Sequence, residues 1–201
     1  MAENQKHTDK SDCKRPLLAD ICWTLFSSNT TMDFLDFAIK DKSYIRLRKF
    51  GKMAIVRFAN LLFFKLFGKD IIRQKCVSYL KGMSRKEIED KAEGFYDEYL
   101  SQRKIQPVWN LLKNRDLVLV SATLDVVAEQ VANNLKAKNF FASKLSFEDG
   151  ICQGRISDDL LVSKSPVLSE YTDFDIVTDN LTDIELVKKA HKKYIVLYRN
   201  K

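Results

Sequence analysis

Histidine is nearly missing from this chain. Two occur among 201 residues, and the four cysteines (Cys13, Cys22, Cys76, Cys152) never form a Cys-x-x-Cys pair. That scarcity argues against a structural zinc site and against a disulfide framework. Unpaired cysteines suit a reducing compartment, so a cytoplasmic location is expected. Residues 1–14 are polar, mixed in charge and without the apolar segment of a signal peptide, and they read as a loose tail. Internal repeats and low-complexity tracts are also missing. The longest apolar stretch, residues 53–67, is too short for a membrane span and is interrupted by Arg57 and Lys65.

Apolar residues make up 45% of the chain, enough for a substantial core. The length allows one large domain, or a smaller core domain carrying an insertion. The net charge of +7 is unevenly spread. Residues 40–86 hold 14 Lys/Arg against two Asp, a local balance of +12 that leaves about −5 for the rest. Such a region is either a solvated helical face or an attractor of anions: a phosphorylated substrate, an anionic lipid surface or nucleic acid.

The run Leu17-Leu18-Ala19-Asp20-Ile21 is too short for a helix and lies between Arg15-Pro16 and Ser27-Ser28-Asn29. It predicts a buried strand that delivers a carboxylate at its C-terminal end, where open α/β sheets place their ligands. Residues 29–105 look helical throughout. Within them, residues 53–67 are expected to form a packed helix, with an amphipathic helix resting on a membrane surface as the alternative. Residues 71–80 continue in helical period up to Gly82. Ser84-Arg85-Lys86-Glu87 has the form of a capping box, and Ile88, Ala92, Phe95, Tyr96, Tyr99 and Leu100 behind it mark a buried stripe.

Pro107 starts a short helix through Lys113. Residues 117–121 form a second strand, and residues 124–135 a helix with Val127, Val131 and Leu135 on one face. Phe140-Phe141-Ala142 reads as a third short strand. Gly150 and Gly154 punctuate a hairpin between Leu145 and Ile156. Residues 174–178 and 194–198 supply a fourth and a fifth strand. Strands alternating with helices predict an α/β fold, a Rossmann-like parallel sheet with right-handed crossovers. The core domain would comprise residues 15–28 and 106–201, with residues 29–105 as an all-helical insertion after the first strand.

Each core strand ends in polar chemistry: Asp20 after the first, Ser121 at the second, Asp179 and Asp183 after the fourth, with Lys164 in a loop between. Carboxylates brought together need a cation, and a site of hard oxygen ligands suits Mg²⁺. Ser121 and Lys164 would hold phosphate oxygens through a hydroxyl and a point charge. A carboxylate nucleophile forming an aspartyl-phosphate is an established route for phosphoryl transfer. Singly, each residue has a plainer role: Asp20 as a turn former, Asp183 as a helix cap, Lys164 as a surface lysine, Ser121 as a partner of the backbone.

The ordered combination resembles the haloacid dehalogenase (HAD) superfamily, in its phosphoserine-phosphatase-like branch with a helical cap after the first strand. The likeness runs from about Leu17 to Tyr198. Asp20-Ile21-Cys22-Trp23-Thr24-Leu25 stands where the family has Asp-x-Asp-Gly-Thr-Leu, and Val120-Ser121-Ala122-Thr123 stands at its phosphate-binding Ser/Thr. Lys164 falls at the family lysine, and residues 178–183 match a Gly-Asp-x-x-x-Asp loop. The resemblance implies Asp20 as nucleophile and metal ligand, with the Cys22 carbonyl and Asp179 completing the ligand set for Mg²⁺. Asp183 would assist through water or Lys164. Thr24, Ser121, Ala122 and Lys164 would position a small phosphorylated substrate, and no nucleic-acid partner is implied.

Three positions depart from the family pattern. Cys22 replaces the aspartate that serves as general acid and base, Trp23 replaces a glycine, and Thr178 replaces another. General acid–base catalysis is worth about 10²–10⁴-fold, so slow turnover is expected if the Cys22 thiol has to take that role. The resemblance therefore implies a Mg²⁺-dependent hydrolase, a phosphatase acting on a phosphate monoester. The alternative is a catalytically impaired descendant of the same fold that binds a phosphorylated ligand, an acidic partner or an anionic membrane surface. Oligomeric state has no signal in the sequence.

Overall fold

The computed structural model describes residues 15–162, 164–180 and 184–197. The expected tail at residues 1–14, together with Asp183 and Tyr198, lies outside them. Strand β1 (Leu17–Ala19) is wholly buried and sits between β2 (Leu117–Leu124) and β5 (Asp175–Thr178), parallel to both. Ala19 lies opposite Leu119 on one side and Val177 on the other. With β3 (Asn139–Glu148), β4 (Ile151–Asp158) and β6 (Lys193–Ile195) the sheet order is β4-β3-β2-β1-β5-β6. Every pairing is parallel except β3 with β4.

Side chains alternate across this sheet, as the pleat requires. Leu17, Ala19, Leu117, Leu119 and Val177 face one core, while Leu18, Val118, Val120 and Ile176 face the other. Both faces are covered, so the strands read as continuous apolar runs rather than alternating ones. The chain leaves β1 for β2 on one flank and returns to β5 on the other. That makes the C-terminal edge of β1 the point where the strand order switches, and crevices open at such points.

Between β1 and β2 lie α1 (Thr30–Ala38), α2 (Lys42–Gly51), α3 (Ala54–Phe67), α4 (Ile71–Val77) and α5 (Arg85–Phe95), then α6 (Gln106–Leu111). Side-chain oxygens start four of them. Asn29, Asp41, Asp70 and Ser84 accept from backbone N–H groups of the first turns. The Ser84 cap is the one expected from the sequence, with Glu87 N donating to Ser84 Oγ at 3.1 Å. Ile88, Ala92, Phe95, Tyr96 and Leu100 are buried, and Tyr99 stacks on Phe95 at 5.1 Å. Helices α7 (Asp125–Leu135), α8 (Ser165–Glu170) and α9 (Ile184–Lys189) complete the layers.

Two expectations change. The short third strand and the hairpin are one structure, because β3 runs unbroken from Asn139 to Glu148. It pairs in parallel with β2 through its first half, then turns back through Asp149 and Gly150, both with positive φ, into β4. Gly154 lets this hairpin press against the helical segment. A Cβ there would stand 2.9 Å from the Ser78 carbonyl oxygen. The second change is α3, which was expected to pack and instead has no buried residue.

Candidate active site

Asp20, Ser121 and Asp179 arrive together because β1, β2 and β5 are neighbours in register. Asp20 follows Ala19, Asp179 follows Thr178, and Ser121 lies one step beyond Val120. All three line one cleft of about 1250 Å³, as do Cys22, Trp23, Ala122 and Lys164. Its far wall comes from the helical segment, through Arg57, Phe58 and Phe64 of α3 and Arg73 of α4. Asp183 falls outside the described residues.

Asp20 is buried. Its Oδ1 accepts the Ile21 N–H at 2.7 Å, while its own N–H donates to Val177 O at 3.0 Å. These contacts fix the carboxylate at the strand end before any ligand arrives. Asp179 is fixed from behind by Thr24, whose hydroxyl accepts the Asp179 N–H at 2.9 Å and donates to Asp179 Oδ1 at 3.2 Å. Thr24 is fully buried and does not line the cleft. The expectation that it grips phosphate is therefore corrected: its hydroxyl is committed to the neighbouring carboxylate.

Ser121 sits at the head of a hydroxyl relay. Its Oγ lies 3.0 Å from Thr123 Oγ1, which lies 2.5 Å from Thr30 Oγ1 at the start of α1. The Thr31 hydroxyl donates to Ala122 O at 3.5 Å. Sequence reasoning missed Thr30 and Thr31, although Asn29-Thr30-Thr31 at a predicted helix start offered three polar side chains in a row.

The Cys22 thiol donates to Ser28 O at 3.2 Å. Burial pushes its pKa up to about 12, with the charges of Asp20 and Asp179 adding to the rise. A thiol held neutral and turned toward a backbone carbonyl is a poor acid and no base at neutral pH, so Cys22 is dropped as a catalytic group. Its backbone carbonyl is unaffected by that argument. Trp23 has φ of 54°, the left-handed conformation in which glycine is at ease and a bulky side chain is strained.

Arg73 carries a role that the sequence did not mark either. It is buried, with Nη1 at 2.6 and 2.8 Å from the two oxygens of Asp159 and Nη2 donating to Ala122 O at 2.6 Å. This arginine thus ties α4 to the loop after β4 and to the backbone beside Ser121. One arginine among fourteen basic residues in that region carries no linear mark of such a role. Arg48 also lines the cleft, with its charge paired to Asp36 at 2.6 and 2.8 Å. Burial alone would raise the Asp36 pKa, but its hydrogen bonds from Arg48 and Tyr44 win and hold it below the usual range.

Among the described residues no cluster of three His, Cys, Asp or Glu side chains stands ready for a metal. The cleft instead is lined by the carboxylates Asp20 and Asp179, with Asp70 and Glu185 also on its walls. That is an all-oxygen set, which fits a hard divalent ion and not zinc.

The family model described as haloacid dehalogenase-like hydrolase matches residues 17–180. No curated protein sequence matches the chain. Among solved structures, a phosphoserine phosphatase in its apo form is 19% identical, with a TM-score of 0.51, covering 90% of this chain and 84% of that one. A phospho-aspartyl intermediate analogue of phosphoserine phosphatase is 20% identical, with a TM-score of 0.52 and coverage of 90% and 85%. A protein of unknown function from Bordetella pertussis Tohama I is 15% identical, with a TM-score of 0.55 and coverage of 92% and 99%. These likenesses establish a shared fold, and the family match spans everything from β1 to the loop after β5. The chain belongs to the haloacid dehalogenase-like hydrolase family.

Proposed function

We propose that the protein is a Mg²⁺-dependent phosphatase that takes a phosphate monoester and forms an aspartyl-phosphate on Asp20. The observation that carries this reading is the meeting of Asp20, Ser121, Lys164 and Asp179 in one cleft at the strand-order switch. Residues 29–105 serve as a cap over a core of residues 15–28 and 106–201. Asp20 and Asp179, with the Cys22 carbonyl, would hold the metal; Asp183 is the further contributor named by the sequence motif. When bound, Mg²⁺ offsets the charge of the carboxylates and the phosphoryl oxygens. Ser121 and Ala122 orient the phosphoryl group, Lys164 balances its charge, and Thr24 positions Asp179.

In the first step an Asp20 carboxylate oxygen bonds to phosphorus as the ester P–O bond breaks, and the leaving oxygen takes a proton from solvent. Water then attacks the acyl phosphate, releasing orthophosphate and restoring the carboxylate. The proton in each step lacks a dedicated carrier because Cys22 stands where the family has an acid. That same observation favours a second reading, a ligand-binding protein that has lost turnover.

A phosphate-release screen over phosphorylated metabolites with Mg²⁺ separates the two. Release that disappears in Asp20→Asn and rises by about 10²-fold or more in Cys22→Asp supports the phosphatase. Release unchanged in Asp20→Asn refutes Asp20 as nucleophile, and ligand binding without release across the panel selects the binding protein.

A further inference from the structure

Helix α3 is 14 residues long and mostly apolar, yet none of its residues is buried. Ile55, Ala59, Leu62 and Leu66 recur at i, i+4, i+7 and i+11 and so share one stripe. Ile55 is 74% exposed, Leu62 50% and Leu66 67%. None of the four lines the cleft. The adjoining side of the same helix does, through Phe58, Leu61 and Phe64, and Phe58 is itself 68% exposed at the mouth. One helix therefore presents apolar surface outward and supplies the apolar wall of the cleft.

The surroundings of the stripe are of one sign. Residues 42–69 contain eight Lys/Arg and no Asp or Glu. Arg57, Lys65 and Lys69 are exposed, and no ion pair among the described residues involves them. No described helix is long and apolar enough to cross a membrane. At about 1.5 Å per residue α3 is roughly 21 Å long, shorter than a hydrocarbon core of about 30 Å. An apolar stripe with cationic flanks on a helix of that length lies in the plane of an interface rather than through it. Pairing with a second copy through this face would set two all-basic segments against each other, which like charge opposes.

We propose that α3 and its basic flanks dock the protein on an anionic lipid bilayer, and that the phosphate monoester it takes is the headgroup of a lipid in that bilayer. The docking half stands on α3 alone, and the substrate half rests on the phosphatase reading. An ester whose alcohol carries a hydrocarbon tail uses both ends of the cleft: Asp20, Ser121 and Lys164 at the phosphate, Phe58, Leu61 and Phe64 along the tail. The bond broken is the lipid O–P bond, water is consumed, and the products are the lipid alcohol and orthophosphate.

Sedimentation of the full chain with phosphatidylcholine vesicles, with and without phosphatidylglycerol, tests the docking. Binding is expected to the mixed vesicles, to be weak on phosphatidylcholine alone, and to fall about fivefold in each of the neutralising variants Lys65→Gln and Lys69→Gln at low salt. The variant Leu62→Asp/Leu66→Asp, at two exposed positions outside the cleft, should lose binding while keeping the wild-type thermal midpoint. Wild-type protein that stays in the supernatant, or a Leu62→Asp/Leu66→Asp variant that sediments like wild type, overturns the docking. So does a concentration-dependent dimer that this variant abolishes.

For the substrate half, phosphatidic acid in vesicles should be hydrolysed at least tenfold faster than glycerol 3-phosphate, with the advantage lost in Leu62→Asp/Leu66→Asp. Equal rates overturn it. Asp20→Asn must still sediment, so a failed phosphatase reading is distinguishable from failed docking.

Discussion

At the scale of single residues the loop after β1 holds the most informative conflict. Trp23 adopts φ of 54°, and its half-buried side chain lines the cleft. A non-glycine residue in that region carries about 1–2 kcal/mol of backbone strain. Replacing it mixes two effects, lost indole packing and relieved strain, which a pair of variants separates. Trp23→Ala and Trp23→Gly lose the same packing, but only glycine relaxes the backbone. Alanine ordinarily exceeds glycine in stability; here Trp23→Gly should be more stable than Trp23→Ala by about 1 kcal/mol in urea unfolding. The reverse order would mean that the turn is not held in the left-handed conformation. The Asp-x-x-x-Thr-Leu spacing was readable in the sequence, and so was the mismatch at Trp23. That Thr24 turns inward to Asp179 was not, because its partner lies 155 residues away.

At the scale of elements, legibility followed local pattern. β1, β2 and β5 announce themselves as apolar runs ending abruptly in polar residues, since burial on both faces leaves no alternation to interpret. β3 hid its length because it changes partner midway: its first half pairs in parallel with β2 and its second antiparallel with β4. The apolar run and the alternating run therefore look like separate strands. α3 was misread because apolar content reports burial only when something covers it.

The tie between α4 and the core was invisible for a different reason, being a pairing of residues 86 positions apart. Arg73 and Asp159 are both well shielded, with Ser143 Oγ also donating to Asp159 at 3.0 Å. Removing one member of such a pair strands the other charge. Arg73→Met should destabilise by about 3–5 kcal/mol. Arg73→Lys should recover only part of that, since an ammonium cannot reach Asp159 and Ala122 O together as the guanidinium fork does. The double variant Arg73→Met/Asp159→Leu should regain much of the loss. A double variant no more stable than Arg73→Met would show that the contact to Ala122 O, not charge pairing, dominates.

At the scale of the whole molecule the site is where the fold's parts meet. It draws on β1, β2 and β5 of the sheet and on α3 and α4 of the helical segment, and Asp20 and Asp179 face the same cleft from adjacent strands. Mg²⁺ with orthophosphate, each well above its dissociation constant, should stabilise the wild-type fold through Asp20 and Asp179. A ligand at a hundred times its dissociation constant contributes about 2.7 kcal/mol, so the wild-type midpoint should rise by about 5–10 °C and the Asp20→Asn midpoint by much less. Equal shifts in both proteins would place the ion elsewhere. The midpoint registers the meeting of these side chains whether or not turnover survives the cysteine at position 22, and it reads the site through the sheet that builds it.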